Sequence, residues 1–113
     1  MSRDNQTLLD LARSARLIIE FQQGIDQATL ATDIKTQSAM LYHFLILGEA
    51  VKRISPEFRL QHPDIPWSSI AGMRDQLIHN YDEINLGRVW ETAQIDVPNF
   101  LAMIEPLLPV EEE

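Results

Sequence analysis

The sequence predicts an all-α fold, an antiparallel four-helix bundle. No stretch alternates apolar and polar residues for long enough to read as a strand, whereas four segments carry apolar residues at helical spacing. The connections between most of them are short, which favours antiparallel neighbours.

The first segment runs from Asn5 to Gln23 and stops at Gly24, a common helix terminator. Its stripe is Leu8, Leu11, Ala12, Ala15, Ile18 and Ile19. A short helical turn over Gln27 to Ala31 can follow. The second segment begins near Asp33 and runs to Ile54, where Ser55-Pro56 ends it because the residue before proline avoids helical geometry. Ile34, Leu41, Phe44, Leu45, Gly48 and Val51 form one stripe, and Met40, Leu47, Ala50 and Ile54 an adjoining one. Two apolar flanks imply packing on two sides, one on the core and one available to a second subunit. Ser55 to Pro66 is a loop with three prolines, with room for one turn over Glu57 to Gln61.

The third segment starts at Pro66, a residue suited to a first helical turn, and continues to His79 or Asn80. The fourth follows Asn85, a good N-cap. Leu86, Val89, Trp90, Ala93, Val97, Phe100, Leu101 and Ile104 keep phase across Pro98, so a kink is expected there and not a stop. Pro106 and Pro109 end it. Residues 1–110 read as one domain and 111–113 as an acidic tail.

The chain has 113 residues, 45% of them hydrophobic, enough for one core. It has no cysteine, which excludes disulfides and thiolate metal sites and suits a reducing cytoplasm. No secretory signal is read at the start, and Ala39 to Val51 is too short and too polar to span a bilayer. The net charge of −8 argues against a general nucleic-acid binder, so activity on RNA requires a local basic site.

The chemically informative segment is Arg74 to Tyr81. Trp67, Ile70, Ala71, Leu77 and Ile78 form the buried stripe of the third helix, with Arg74 in its middle and Tyr81 at its end. An arginine cannot shed its charge, so an inward position demands a partner. One account gives Arg74 a structural ion pair with a carboxylate such as Glu49. The other gives it a phosphate. Asp75 and His79, four apart, are neighbours on one helix face. A carboxylate beside an imidazole fixes its tautomer, which suits a general acid–base group; a plain surface pair has the same spacing. Arg74 and His79 point about 140° apart on an ideal helix, so one rigid helix does not converge them. Either the helix unwinds near His79 or a second subunit completes the site.

His43 reads as a helix residue with one hydrogen bond, and His62 as a solvent-exposed loop residue. The three histidines lack metal-ligand spacing. Trp67 and Trp90 fall on apolar stripes and read as core. No cofactor is expected.

Arg74 to Tyr81 reads R-x-x-x-x-H-x-Y, which resembles the signature of HepT-type HEPN-domain toxins, partners of minimal nucleotidyltransferase (MNT) antitoxins. Leu47-Gly48-Glu49-Ala50, Arg53-Ile54-Ser55, Ile65-Pro66-Trp67, Gly72-Met73-Arg74 and Val89-Trp90-Glu91-Thr92 follow the same family in the same order, over about Ala39 to Ile104.

The resemblance implies a HEPN-like helical domain that forms a homodimer with the motif at its interface. It also implies a type VII toxin–antitoxin endoribonuclease, metal-independent, cutting tRNA or mRNA by attack of the 2′-hydroxyl. His79 would be general acid or base, Arg74 would hold the phosphate, and Asp75 would orient them. The partner would silence the enzyme by AMPylation of Tyr81, whose added bulk and charge exclude RNA. Lys52, Arg53 and Arg59, flanking the long loop, are the candidate RNA contacts. Two alternatives stay open: a non-catalytic binding or regulatory subunit of a nucleotidyltransferase, and a structural dimer whose motif is an ion-pair network.

Overall fold

The computed structural model describes residues 3–79 and 81–110, with Tyr81 by its backbone alone. The glutamates read as an acidic tail lie outside these residues. The described residues contain helices and no strand. Among the described residues no helix is long and apolar enough to cross a membrane.

Helix α1 (Arg3–Gln22) buries Leu8, Leu11, Ala12, Ala15 and Ile18, the stripe that its spacing predicts; Ile19 packs at the margin. It ends where Gly24 takes φ 77°, a left-handed conformation that a side chain resists. Two short-range caps then start the next helices. Asp26 accepts from the backbone and hydroxyl of Thr29, both at 2.8 Å, and opens α2 (Gln27–Thr32). Asp33 accepts from Thr36 in the same manner, at 3.2 and 2.7 Å, and opens α3 (Ile34–Arg53). These bonds hold both carboxyl groups below the usual carboxylate range.

Helix α3 buries Met40, Phe44, Leu47, Gly48, Ala50 and Val51, so both of its expected stripes contribute. Ile34, expected on the first stripe, is instead exposed: it is the first residue of the helix, ahead of the turns that meet α1. The loop expected from Ser55 to Pro66 contains a helix, α4 (Pro56–Gln61), capped by Ser55. Asp4 accepts from the backbone and hydroxyl of Ser55 at 2.9 and 2.6 Å, tying the start of α1 to the end of α3.

Helix α5 (Trp67–His79) buries Trp67, Ile70, Met73 and Leu77. Its inward face is therefore rotated from the expected one: Met73 lies inside and Ile78 is exposed, while Arg74 keeps its place between Trp67 and Ile70 around the helix axis, toward the margin of the stripe and half-buried. Trp67 donates its indole N–H to the His62 carbonyl at 3.0 Å and meets Phe100 edge-on at 5.9 Å.

A 3₁₀ turn, Tyr81–Glu83, leads to the C-terminal helix. Asn85 caps α6 (Leu86–Glu91) by accepting from the Arg88 N–H at 3.1 Å. A π-helical turn, Thr92–Asp96, joins it to α7 (Val97–Ile104). In place of a simple kink at Pro98, the preceding turn is widened: the Val97 N–H reaches back to the Thr92 carbonyl. Proline has no N–H and crowds the carbonyl four residues back, so a wider turn accommodates it. The π turn leaves the Ala93 carbonyl to the buried side chain of Gln22, which donates at 2.9 Å and accepts from Gln94 at 3.1 Å.

α1 packs on α3 and on α7, and α3 packs on α5. Leu8, Leu11, Ile18, Met40, Phe44 and Phe100 are among the fully buried side chains of the shared core. Each such side chain contributes roughly 1.5–3 kcal/mol by leaving water. The outer surface of α3 and its junction with α5 remain for chemistry.

Candidate active site

Gly48 sets the distance between α3 and α5. A Cβ at this position would clash with the Cβ of Arg74 and press on its Cγ. The stem of Arg74 therefore lies directly on the glycine, while its guanidinium reaches the surface with the side chain 26% exposed. This is how a cation is placed beside an apolar seam at low cost: the methylenes are buried and the charge is solvated.

The guanidinium meets two carboxylates. Nη2 lies 3.1 Å from Oε2 of Glu49 on α3, and Nη1 donates to Oδ1 of Asp75 at 3.1 Å. Lys52, one turn along α3 from Glu49, donates to the same Asp75 oxygen at 2.6 Å. Two cations and two anions thus alternate across the α3–α5 junction. The Lys52 ammonium, and next the Arg74 guanidinium, hold the Asp75 carboxyl below its ordinary range. Glu49 and Asp75 are about half exposed. Solvated pairs of this kind contribute little to stability and exchange readily for another anion.

Glu49 is thus a partner of Arg74, as the structural account expects, yet it is not buried, and the arginine keeps a solvent-facing edge. Asp75 turns toward α3. Among the described residues no hydrogen bond or ion pair joins it to His79. The expected carboxylate–imidazole pair is replaced by Lys52–Asp75–Arg74, because a fixed ammonium from the neighbouring helix outcompetes a partner one turn away. His79 is exposed at the last residue of α5. Tyr81 begins the 3₁₀ turn, and its side chain lies outside the described residues.

The other expected basic residues divide. Arg59 donates to the Val51 carbonyl at 2.6 Å and closes the C-terminus of α3, so it is committed to the fold. Arg53 is exposed, with no ion pair among the described residues. His62 is half-buried, stacked at 4.6 Å on Phe58, and not free in solvent. Among the described residues His43 lacks its expected hydrogen bond: Nδ1 is buried without a partner. Trp67 is core and Trp90 packs at its edge.

The cross-helix link from Lys52 to Asp75 and the seat at Gly48 are absent from the sequence reading. Gly48 carried a signal: glycine inside a helix costs about 1 kcal/mol relative to alanine, so one on an apolar stripe marks a close approach.

Comparisons with known proteins give the chain a family. Residues 11–107 match the family model described as "Ribonuclease HepT-like". The chain is 38% identical to "Probable ribonuclease HepT" of Thermococcus cleftensis, over 95% of this chain and 98% of that one. It is 34% identical to a "Putative RNase" of Caldanaerobacter subterraneus subsp. tengcongensis, over 90% and 91%. It is 33% identical over its whole length to half of "Gamma-glutamylcyclotransferase and putative RNase" of Methanocaldococcus jannaschii. No solved structure matches the chain.

Proposed function

The chain belongs to the HepT-like ribonuclease family, and from that premise we propose that it is a metal-independent endoribonuclease, the toxin of a type VII toxin–antitoxin pair. The observation that carries this reading is the seat of Arg74: a permanent cation, fixed by Gly48 yet open to solvent, whose partners are half-exposed carboxylates.

A phosphodiester entering the junction displaces Glu49 from the guanidinium. The RNA 2′-hydroxyl then attacks the adjacent phosphorus, losing its proton to a base as the P–O5′ bond breaks. The products are a 2′,3′-cyclic phosphate and a 5′-hydroxyl. Arg74 stabilises the charge that gathers on the phosphorane oxygens. His79 moves a proton, to the leaving 5′-oxygen or from the 2′-hydroxyl. Asp75, anchored by Lys52, positions the guanidinium.

Arg74 and His79 diverge on one helix, so the working site is formed by two copies of the chain. A homodimer, with each protomer an antiparallel four-helix bundle, supplies Arg74 from one α5 and His79 from the other. Twofold symmetry also doubles the local basic charge, which a chain of net charge −8 needs near RNA. Tyr81, two residues beyond His79, is the site at which an MNT-type partner adds AMP, which blocks the phosphate site by bulk and charge.

One observation favours the rival account, a binding subunit or an inert ion-pair network: Arg74 already has two carboxylate partners. Cleavage of RNA in excess chelator, yielding a cyclic phosphate end and lost in His79→Ala, decides for the nuclease. No cleavage by the wild-type protein, with tight binding of a nucleotidyltransferase, decides against it.

A further inference from the structure

The cations of this acidic chain are unevenly placed. Arg13 on α1 and Arg53 on α3 face one groove of about 340 Å³, which Tyr42, His43 and Ile46 also line. Arg53 is shared with a second groove, where Arg3 and Lys52 stand. Four of the nine basic residues of the chain therefore flank two grooves that meet at Arg53 and together make a track along α1 and α3. Two acids, Asp10 and Asp4, line it as well; Asp10 accepts from Gln6 and Asp4 holds Ser55.

Aromatic surface interrupts the charge. Tyr42 is 58% exposed, unusual for so large a ring, and is braced edge-on by His43 at 5.1 Å. His43 in turn rests on Phe21 at 5.6 Å. Among the described residues the buried Nδ1 of His43 has no hydrogen-bond partner. Tyr42, Ile46 and Arg53 recur on one face of α3, and Tyr42 and Arg53 are separated by a rise of about 16 Å. That length holds about four or five nucleotides at a stacked spacing of about 3.4 Å. At its far end the track reaches Lys52, whose ammonium holds Asp75 beside Arg74.

We infer that the α1–α3 track binds the single-stranded RNA flanking the scissile phosphate, with Arg13 and Arg53 on backbone phosphates and Tyr42 as a stacking platform for a base. Alternation of cations with an exposed, rigid ring is the chemistry that holds single strands without reading their sequence. A duplex offers no free base faces to Tyr42, so it is held by charge alone. The inference rests on the proposed ribonuclease reading, since it takes RNA as the ligand.

The test is fluorescence anisotropy with a labelled oligouridylate, in a His79→Ala background so that the probe survives. Arg13→Ala with Arg53→Ala should weaken binding about tenfold and flatten the salt dependence by about 1.4 in log–log slope. Tyr42→Ala should weaken it at least about fivefold, with a smaller effect on an RNA duplex. Thermal melting and sedimentation should not change, because these side chains are exposed. Oligouridylate affinity unchanged in the double variant overturns the inference. So does a loss of affinity accompanied by a change from dimer to monomer, which makes this face a contact between copies. Binding weakened by these substitutions, in a chain whose wild type never cuts RNA, leaves the track standing and removes the nuclease. Binding undiminished in the variants, in a chain whose wild type cuts RNA, does the reverse.

Discussion

Gly48 and Arg74 occupy a single contact between α3 and α5: the arginine stem fills the space that any other residue at position 48 would need for its Cβ. The two positions are coupled, so a change at the glycine is felt at the guanidinium. Gly48→Ala should displace α5 and cost about 1–3 kcal/mol through overpacking. The melting temperature should fall by several degrees, and RNA cleavage should fall further than the loss of folded protein explains. Melting curves and specific activity on the folded fraction check this.

Asp75 neutralises two cations, so its amide variant separates binding from catalysis. Asp75→Asn frees charge on Lys52 and Arg74 and should tighten RNA binding. The guanidinium loses its positioning partner, and kcat should drop by about tenfold or more. A parallel loss of affinity and turnover would mean that Asp75 contributes only to the fold. Binding isotherms and single-turnover rates separate the two.

Gln22 bridges α1 to the π turn through the Ala93 carbonyl. Gln22→Leu leaves that buried acceptor unpaired, a loss of about 1–3 kcal/mol. Urea unfolding should show a lower midpoint with an unchanged slope, and activity at low temperature should persist because the site is remote.

Burial, and next the charge of Arg13, push the His43 imidazole below the usual histidine value of 6.5. The folded chain thus resists a proton that the unfolded chain accepts. Stability from this source is complete above pH 6.5 and is lost as the pH falls below it, until the lowered folded value is passed. Asp75 works at the acid end: its depressed value contributes stability above 3.8, lost only as the pH falls through the lowered value. Melting temperature between pH 7.5 and 5.5 should decline in the wild type and decline less in His43→Gln. Identical slopes would remove His43 from the account.

Much of this was legible before any coordinates. The α1 stripe, the cap at Asn85 and the terminator at Gly24 follow from periodicity and local bonding, which sequence records directly. Arg74 was visible as a charge in the middle of an apolar stripe, and Glu49 as one of the partners open to it. What was hidden depends on neighbours distant in the chain. Met73 and Ile78 exchange their expected faces because α3 sets the rotation of α5. Asp75 abandons His79 for Lys52, which lies on another helix. The π turn at Thr92–Asp96 lies within a run whose apolar residues keep helical spacing in the sequence, so periodicity could not distinguish it from a kink.

The central claim is that one α5 supplies Arg74 and another supplies His79 to the same phosphodiester. Purified Arg74→Ala and His79→Ala chains should each be inactive on RNA. Unfolded together and refolded as a mixture, they should recover about a quarter of wild-type cleavage, because half of the dimers pair unlike chains and each such dimer carries one intact site. A mixture that stays silent while wild-type protein treated alike regains its activity would contradict a site shared between copies.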